Sequence, residues 1–307
     1  MILCAGEALI DMLPRHTAQG EPAFAPHAGG AVFNTAIALG RLGAKTGFFS
    51  GLSTDLFGRM LDGALTASGV DARLAARSAR PTTLAFVTLN DGQASYAFYD
   101  ENTAGRMLSP ADLPALPDTV TALFFGGISL AVEPCGAAYE ALMLREAHGR
   151  VTMLDPNIRP GFIADEPAYR ARLDRMIAAA DIVKLSDEDL HWLLGPGDAA
   201  ALAAGLLKRG PRLVLLTRGG RGALAFGTAA RAEIAARPAE LVDTVGAGDT
   251  FNAGILAALR AGGHLSKPGL DCLSHAALVG ALDLAARAAA ITVSRAGANP
   301  PWREELA

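Results

Sequence analysis

The run Val242-Asp243-Thr244-Val245-Gly246-Ala247-Gly248-Asp249-Thr250-Phe251 sets a carboxylate directly behind tiny residues and ahead of a long apolar, Ala-rich segment. Small side chains let backbone N–H groups turn toward a common point, and a helix starting there adds the positive end of its dipole. The turn is therefore a candidate anion site. Asp249 stands beside it, placed to take a proton from an attacking hydroxyl. That pairing is the chemistry of phosphoryl transfer to an alcohol. A purely structural strand-to-helix turn has the same composition. No GxxxxGKS or GxxxxGKT loop occurs, and the only lysines are Lys45, Lys184, Lys208 and Lys267. Any phosphates are then held by backbone amides, a metal and arginines.

A second Gly-rich stretch, Gly29-Gly30-Ala31-Val32-Phe33-Asn34, precedes another helical pattern. Glycines allow close approach of backbone to a polar ligand, and Asn34 offers both a donor and an acceptor. A plain loop with Asn34 at a helix end is the alternative reading.

These residues need a frame that brings them to one place. Apolar runs at 2–12, 46–51, 122–125, 151–154, 182–185 and 213–217 read as strands. Helical spacing appears at 32–42, 55–68, 135–147, 167–180, 187–194 and 199–208, and two long helices are expected at 248–261 and 267–290. Strands alternating with helices imply a parallel sheet covered on both faces. The alternating runs 83–89 and 94–99 flank Asn90-Asp91-Gly92-Gln93, a hairpin signal. That hairpin is expected to form a flap beside the sheet, with the segment 14–28; a second short hairpin is expected at 222–226 and 230–235. Ligands of such sheets bind beyond the carboxyl ends of the strands. Asp11, Asp155-Pro156-Asn157, Ser186 and Thr217 all follow strand candidates and so point toward the same face as the 246–249 turn.

Composition narrows the class. Of 307 residues 51% are hydrophobic and 19% charged, enough for a large core and unlike a disordered chain. A net charge of −4 without a basic cluster offers no footprint for nucleic acid. Cys4, Cys135 and Cys272 share no metal-ligand spacing and fit a reducing compartment. The N-terminus lacks a basic n-region, and the apolar stretch 276–293 carries Asp283 and Arg287, so it reads as a buried helix and not a membrane span. A cytoplasmic location is expected.

The two Gly-rich motifs, in this order and with Ala38-Leu39-Gly40-Arg41-Leu42-Gly43 after the first, resemble those of the ribokinase-like (PfkB) carbohydrate kinases. The resemblance covers nearly the whole chain, including Gly297-Ala298-Asn299-Pro300 near its end. It implies an α/β fold, a ribokinase-like three-layer sandwich with a mostly parallel central sheet and a small β-sheet lid. One domain spanning 1–307 is expected, with lid segments near 12–30 and 80–106. The resemblance further implies Asp249 as base, with Gly246, Ala247 and Gly248 as anion hole. Asp11, Gly29, Gly30 and Asn34 match sugar-binding positions, and Ser186, Thr217, Gly219 and Gly222 match the nucleotide side. Asp243, Val245, Val293 and Gly297 match a monovalent-cation site, which makes K⁺ a candidate beside ATP and Mg²⁺. The family's Asn-x-x-Glu is replaced by Ser186-Asp187-Glu188-Asp189, so Asp189 is carried over as metal-organising, with Glu188 or Asp187 as alternatives.

The acceptor is read from two other stretches. Asp155-Pro156-Asn157-Ile158-Arg159 is similar to the Asp-x-Asn-x-Arg of fructokinases and 2-keto-3-deoxygluconate kinases, with Asn157 and Arg159 toward substrate. Phe98 to Leu108 resembles the matching stretch of fructokinases, with Phe98 and Arg106 as contacts. Asp100 and Glu101 repel an acid sugar, whereas Arg106 would welcome one. A neutral ketohexose, fructose first, is expected. 2-Keto-3-deoxygluconate kinase, ribokinase, nucleoside kinase and a non-catalytic sugar or nucleotide sensor on the same fold remain open. The open strand edges of the flap invite pairing with a second copy.

Overall fold

A computed structural model describes residues 1–90 and 93–306. The expected strand at 2–12 is two strands, β1 (Ile2–Ala5) and β2 (Leu9–His16). The division falls at Glu7, whose buried carboxylate accepts the Ala31 N–H (3.0 Å) and the Ser129 hydroxyl (2.9 Å). Drawing that carboxylate inward turns the chain out of one sheet and into another.

The chain continues through β3 (Pro22–Gly29), α1 (Ala31–Arg41), β4 (Thr46–Phe49), β5 (Gly51–Ser53), α2 (Leu56–Ala67), β6 (Val70–Asp71) and β7 (Ala76–Ser78). The flap hairpin follows as β8 (Leu84–Asn90) and β9 (Gln93–Tyr99); Asp91 and Gly92 of its expected turn lie outside the described residues. Alternation resumes with β10 (Ala122–Gly126), α3 (Cys135–Glu146), β11 (Val151–Asp155), α4 (Glu166–Ala179), β12 (Ile182–Ser186), α5 (Asp187–Leu194), α6 (Ala199–Leu207) and β13 (Leu213–Thr217). The remainder is β14 (Ala223–Gly227), β15 (Arg231–Ile234), α7 (Ala247–Ala261), α8 (Lys267–Asp271) and α9 (His275–Val293).

The long helix expected at 267–290 is thus interrupted. Ser266 caps α8, and Ser274 caps α9 by accepting the Ala277 N–H at 3.1 Å. Two serine caps eight residues apart, with Pro268 in the first turn of α8, favour two helix starts over one continuous helix.

Nine strands form the main sheet in the order β15-β14-β13-β12-β11-β10-β1-β4-β6. Pairing is parallel from β13 to β6, and the second expected hairpin, β14–β15, adds antiparallel at one edge. The central strands β1, β4, β10 and β11 are buried throughout, as fits a sheet covered on both faces. Side chains of α1, α2, α7 and α9 fill one apolar layer; those of α3, α4, α5 and α6 fill the other. α9 is long and apolar enough to cross a membrane, yet it packs on α7, and its Asp283 pairs with Arg287 (3.3 Å) and Arg237.

β2, β3, β8 and β9 form a separate lid sheet, ordered β3-β2-β8-β9. Asp11, His27, Ala85 and Phe98 are mutual register partners and share one of its faces. Phe24, Phe86 and Tyr99 stack edge to face on the other, with centroids 5.0 and 5.3 Å apart. The order of the main sheet reverses between β10 and β1, so the crevice expected to bind ligand lies beyond those two strand ends. Glu7 and Ser129 meet there.

Candidate active site

Gly246 ends the approach to α7 in the left-handed region (φ 78°), and a Cβ on it would stand 2.7 Å from that of Ala298. Only glycine fits both conditions. The first α-helical bond of α7 runs from Thr250 N–H to the Gly246 carbonyl (2.8 Å). Within the helix the amides of Gly248 and Asp249 consequently lack acceptors and stand at the positive end of the dipole. The Ala247 amide instead donates to Thr244 O at 3.3 Å. Gly248 and Asp249 are therefore better placed as anion donors than Ala247.

The Asp249 carboxylate is buried, and its Oδ2 accepts a hydrogen bond from Asn34 Nδ2 at 2.9 Å. The Thr35 hydroxyl donates to the Asp249 carbonyl at 3.2 Å. These contacts join the two Gly-rich motifs across 215 residues of sequence. A carboxylate at a helix start is expected to titrate low, since the dipole favours its ionised form. The structure corrects that expectation. Burial pushes the Asp249 pKa up to about 7; Asn34 and Lys184 oppose the rise, while the charges of Asp155 and Glu7 add to it.

On the sugar side, Asp11 reaches from β2 against Gly29, where a Cβ would stand 2.2 Å from its Oδ2. Burial raises the Asp11 pKa to about 6. Gly30 is the N-cap of α1, one turn before Asn34. A Gly29→Ala variant is expected to displace the Asp11 carboxylate and raise the KM for the sugar about tenfold, the scale of one weakened charged hydrogen bond. Steady-state kinetics check this, and an unchanged sugar KM would remove Asp11 from the site.

The loop after β11 carries the remaining sugar-side residues. Asn157 sits at φ 44°, a conformation uncommon outside glycine, with its N–H on Asp155 Oδ1 (3.2 Å). Arg159 is exposed and, among the described residues, donates to the neighbouring Ile158 carbonyl (3.0 Å). Arg106 differs: its guanidinium meets Asp100 at 3.5 Å and donates to the Glu133 carbonyl at 3.2 Å. A cation already neutralised by Asp100 is a poor receptor for a substrate carboxylate. Phe98 is half-buried against Phe162, with centroids 4.2 Å apart, where the lid meets this loop.

Two polar residues outside the expected set, Lys184 and Asn252, complete the centre around Asp155. Lys184 Nζ lies 2.9 Å from Asp155 Oδ2, and Asn252 Nδ2 donates to that same oxygen at 2.7 Å. Lys184, Asp155 and Asn252 are buried. Burial alone would lower the Lys184 pKa, but Asp155, Asp189 and Asp249 hold it above the ordinary value. The sequence carried a signal for each. Lys184 is a lone charge in the apolar run Ile182-Val183-Lys184-Leu185, Asp155 ends a buried strand, and Asn252 sits one turn past Asp249. A charge in a buried strand requires a partner.

On the nucleotide side, Thr217 closes β13 and Gly219 opens a short 3₁₀ turn that Gly222 ends. Ser186 caps α5 by accepting the Asp189 N–H at 2.9 Å. Asp189 returns the contact to Ser186 N–H (3.3 Å) and accepts the Ile158 N–H (3.0 Å). Its buried carboxylate thereby fastens the 155–159 loop to α5, which speaks against a direct metal role. Asp187 pairs with Arg221 at 2.5 Å, and Glu188 is exposed. No group of three or more His, Cys, Asp or Glu among the described residues is placed to hold a metal.

The four residues expected at a monovalent cation do converge. Asp243 Oδ1 accepts the Val245 N–H (3.0 Å) and Oδ2 the Gly297 N–H (2.8 Å). The Val293 carbonyl accepts the N–H groups of Val242 (2.8 Å) and Asp243 (3.1 Å). Each oxygen named here already accepts a backbone N–H, so these contacts hold the 242–245 segment against the end of α9 and residue 297.

A mostly parallel sheet with a separate four-stranded lid, and a buried carboxylate in the first turn of α7 bonded to Asn34, define an α/β architecture with a site suited to phosphoryl transfer. The pfkB family carbohydrate kinase profile matches residues 1–305, and the chain belongs to that family. It is 56% identical over 278 residues to a fructokinase of Rhizobium leguminosarum bv. trifolii, covering 91% of this chain and 85% of that one. A fructokinase of Salmonella typhimurium is 36% identical, with 84% of each chain covered. Among solved structures, Xylella fastidiosa fructokinase with bound ATP superposes with a TM-score of 0.87 at 30% identity, covering 97% of this chain and 93% of that one. A Vibrio cholerae fructokinase double mutant bound to fructose, ADP and potassium ion gives 0.84 at 25% identity, with the same coverage. The chain is accordingly a carbohydrate kinase.

Proposed function

We propose that this chain transfers the γ-phosphoryl group of ATP to a primary hydroxyl of fructose. The observation that supports phosphoryl transfer is the Asn34–Asp249 hydrogen bond, which joins the two Gly-rich motifs, and fructose as acceptor is supported by the 56% identity to a fructokinase. The sugar oxygen bonds to the γ-phosphorus, and the bond from that phosphorus to the bridging oxygen breaks with its electron pair leaving on ADP. The hydroxyl proton passes to Asp249. Gly248 and Asp249 amides receive the phosphoryl oxygens, while Asp11, Asn34 and Gly30 hold the sugar from the other side. Catalysis here rests on positioning and charge neutralisation.

Magnesium would travel with the nucleotide, supplying charge neutralisation between phosphates, with most of its shell from phosphate and water. Asp243, Val245, Val293 and Gly297 would hold K⁺ next to the turn. Titrating K⁺ against Na⁺ is expected to raise kcat several-fold, and Asp243→Ala is expected to abolish the response.

Pairing of Arg106 with Asp100 favours a neutral acceptor over 2-keto-3-deoxygluconate. ATP consumption with fructose, 2-keto-3-deoxygluconate, ribose and adenosine tests the assignment. Fructose is expected to give the highest kcat/KM by at least tenfold. Preferred turnover of another member overturns the fructose reading, and tight sugar binding without turnover makes the chain a sensor. Phe24 and Tyr99, 44% and 63% exposed on the outer lid face, are the basis for proposing a homodimer through the lid. Sedimentation equilibrium is expected to give a dimer that Tyr99→Glu dissociates. A monomeric parent overturns it. The free thiols of Cys4, Cys135 and Cys272 support the proposed reducing, cytoplasmic setting.

A further inference from the structure

We propose that Lys184 supplies the fixed positive charge of the phosphoryl-binding turn, and that Asp155 and Asn252 hold it in place for that task. The proposal rests on the reading of residues 246–249 as the phosphoryl site. It assigns a cation to a turn whose sequence offers none.

The geometry comes first. Lys184 projects from β12 toward the start of α7, where its Nζ would stand 3.3 Å from a Cβ on Gly248. Absence of that carbon leaves the ammonium next to the first-turn amides. Its one acceptor among the described residues is Asp155 Oδ2, although an ammonium has three N–H donors. Asp155 is itself braced by Asn252 from α7 and by the Asn157 N–H from the loop. The ammonium is thus buried at 4% exposure, with donors to spare, beside a helix start that already attracts anions.

Charge accounts for its retention. Four buried acids, Glu7, Asp155, Asp189 and Asp249, surround this centre, and Lys184 is the buried lysine among them. A phosphoryl group entering this acidic ring would be repelled without a cation. A buried ion pair adds little net stability over an apolar pair, so packing alone gives no reason for a lysine in this strand. The phosphoryl oxygens supply the acceptors that the two remaining N–H groups need.

The test separates charge from structure with Lys184→Met and the charge-neutral pair Asp155→Asn with Lys184→Met. With Asp155→Asn alone as the control for that substitution, the double variant, if Lys184 serves the anion, melts within a few degrees of the parent and matches the control in fructose affinity. Its kcat falls about 10²-fold below that of Asp155→Asn, the scale of one lost oxyanion contact. Calorimetric affinity for ADP, Mg²⁺ and aluminium fluoride falls at least tenfold. Recovery of parental kcat and fluoride-complex affinity in the double variant makes the lysine a structural partner of Asp155 and overturns the proposal. Failure of both variants to fold overturns it equally. If the parent fails to phosphorylate fructose, the acceptor reading falls while the fluoride-complex comparison still decides the role of Lys184.

Discussion

Replacing Asp249 by Asn is expected to lower kcat about 10³-fold while the KM for the sugar stays within a few-fold. General-base removal has that range of effect, and the amide keeps a partner for Asn34. A coupled ADP assay measures it, and turnover within tenfold of the parent would remove Asp249 as base. The parent's pH profile carries a second mark of the same group. The base acts only when ionised, so with a pKa raised to about 7 by burial, kcat/KM falls tenfold per pH unit below 7 and levels above it.

Stability must respond to the same carboxyl with a definite sign. Its folded pKa of about 7 lies above the unfolded value of 3.8, so folding takes up a proton between them. The stability linked to that proton is fully present below pH 3.8 and is lost as pH rises through 7. Asp249→Asn escapes this loss. The variant is therefore expected to match the parent's Tm in acid and to exceed it at pH 8. A Tm difference independent of pH would show that Asp249 is not held in the surroundings described.

Removing the Asp155 carboxylate is the second large effect. Asp155→Ala leaves the Lys184 ammonium and the Asn252 amide buried without their shared acceptor. Breaking one side of a buried pair costs about 3–5 kcal/mol, because the other charge stays uncompensated. For a chain of this size the expected drop in Tm is roughly 10 °C. Asp155→Asn, which keeps an acceptor oxygen, is expected to fall between parent and alanine variant. Thermal melts decide it: a change under 3 °C for the alanine variant would mean that Lys184 finds another partner or loses its proton at little cost. A drop in kcat should accompany the melt, since Asp155 ties α7 to the ends of β11 and β12.

Much of this centre was legible before any coordinates. A turn of tiny residues with a carboxylate three positions into a helix pointed to phosphoryl transfer, and the Gly29-Gly30 motif about two hundred residues earlier set it apart from a structural turn of the same composition. Alternation in 83–99 marked a hairpin that a parallel sheet does not accommodate, and it lies in the separate lid. Local pattern failed where a long-range contact decides the outcome. Hydrophobicity alone continues a strand through residues 2–12, but Glu7 breaks it by reaching Ser129 and the start of α1. Helical periodicity runs from 267 to 290, yet Ser274 caps a new helix within it.

Sequence by itself determined the alternation of strands and helices, the two Gly-rich motifs and the carboxylate beside the second, because each depends on residues adjacent in the chain. Tertiary structure alone decided which charges meet. Asn34 and Asp249 lie 215 positions apart, and Asp155, Lys184 and Asn252 come from two strands and a helix. Packing also removed water from these groups, which turned a helix-start carboxylate expected to titrate low into one near 7. Desolvation and Coulomb terms depend on distance in space, and no local pattern encodes that distance.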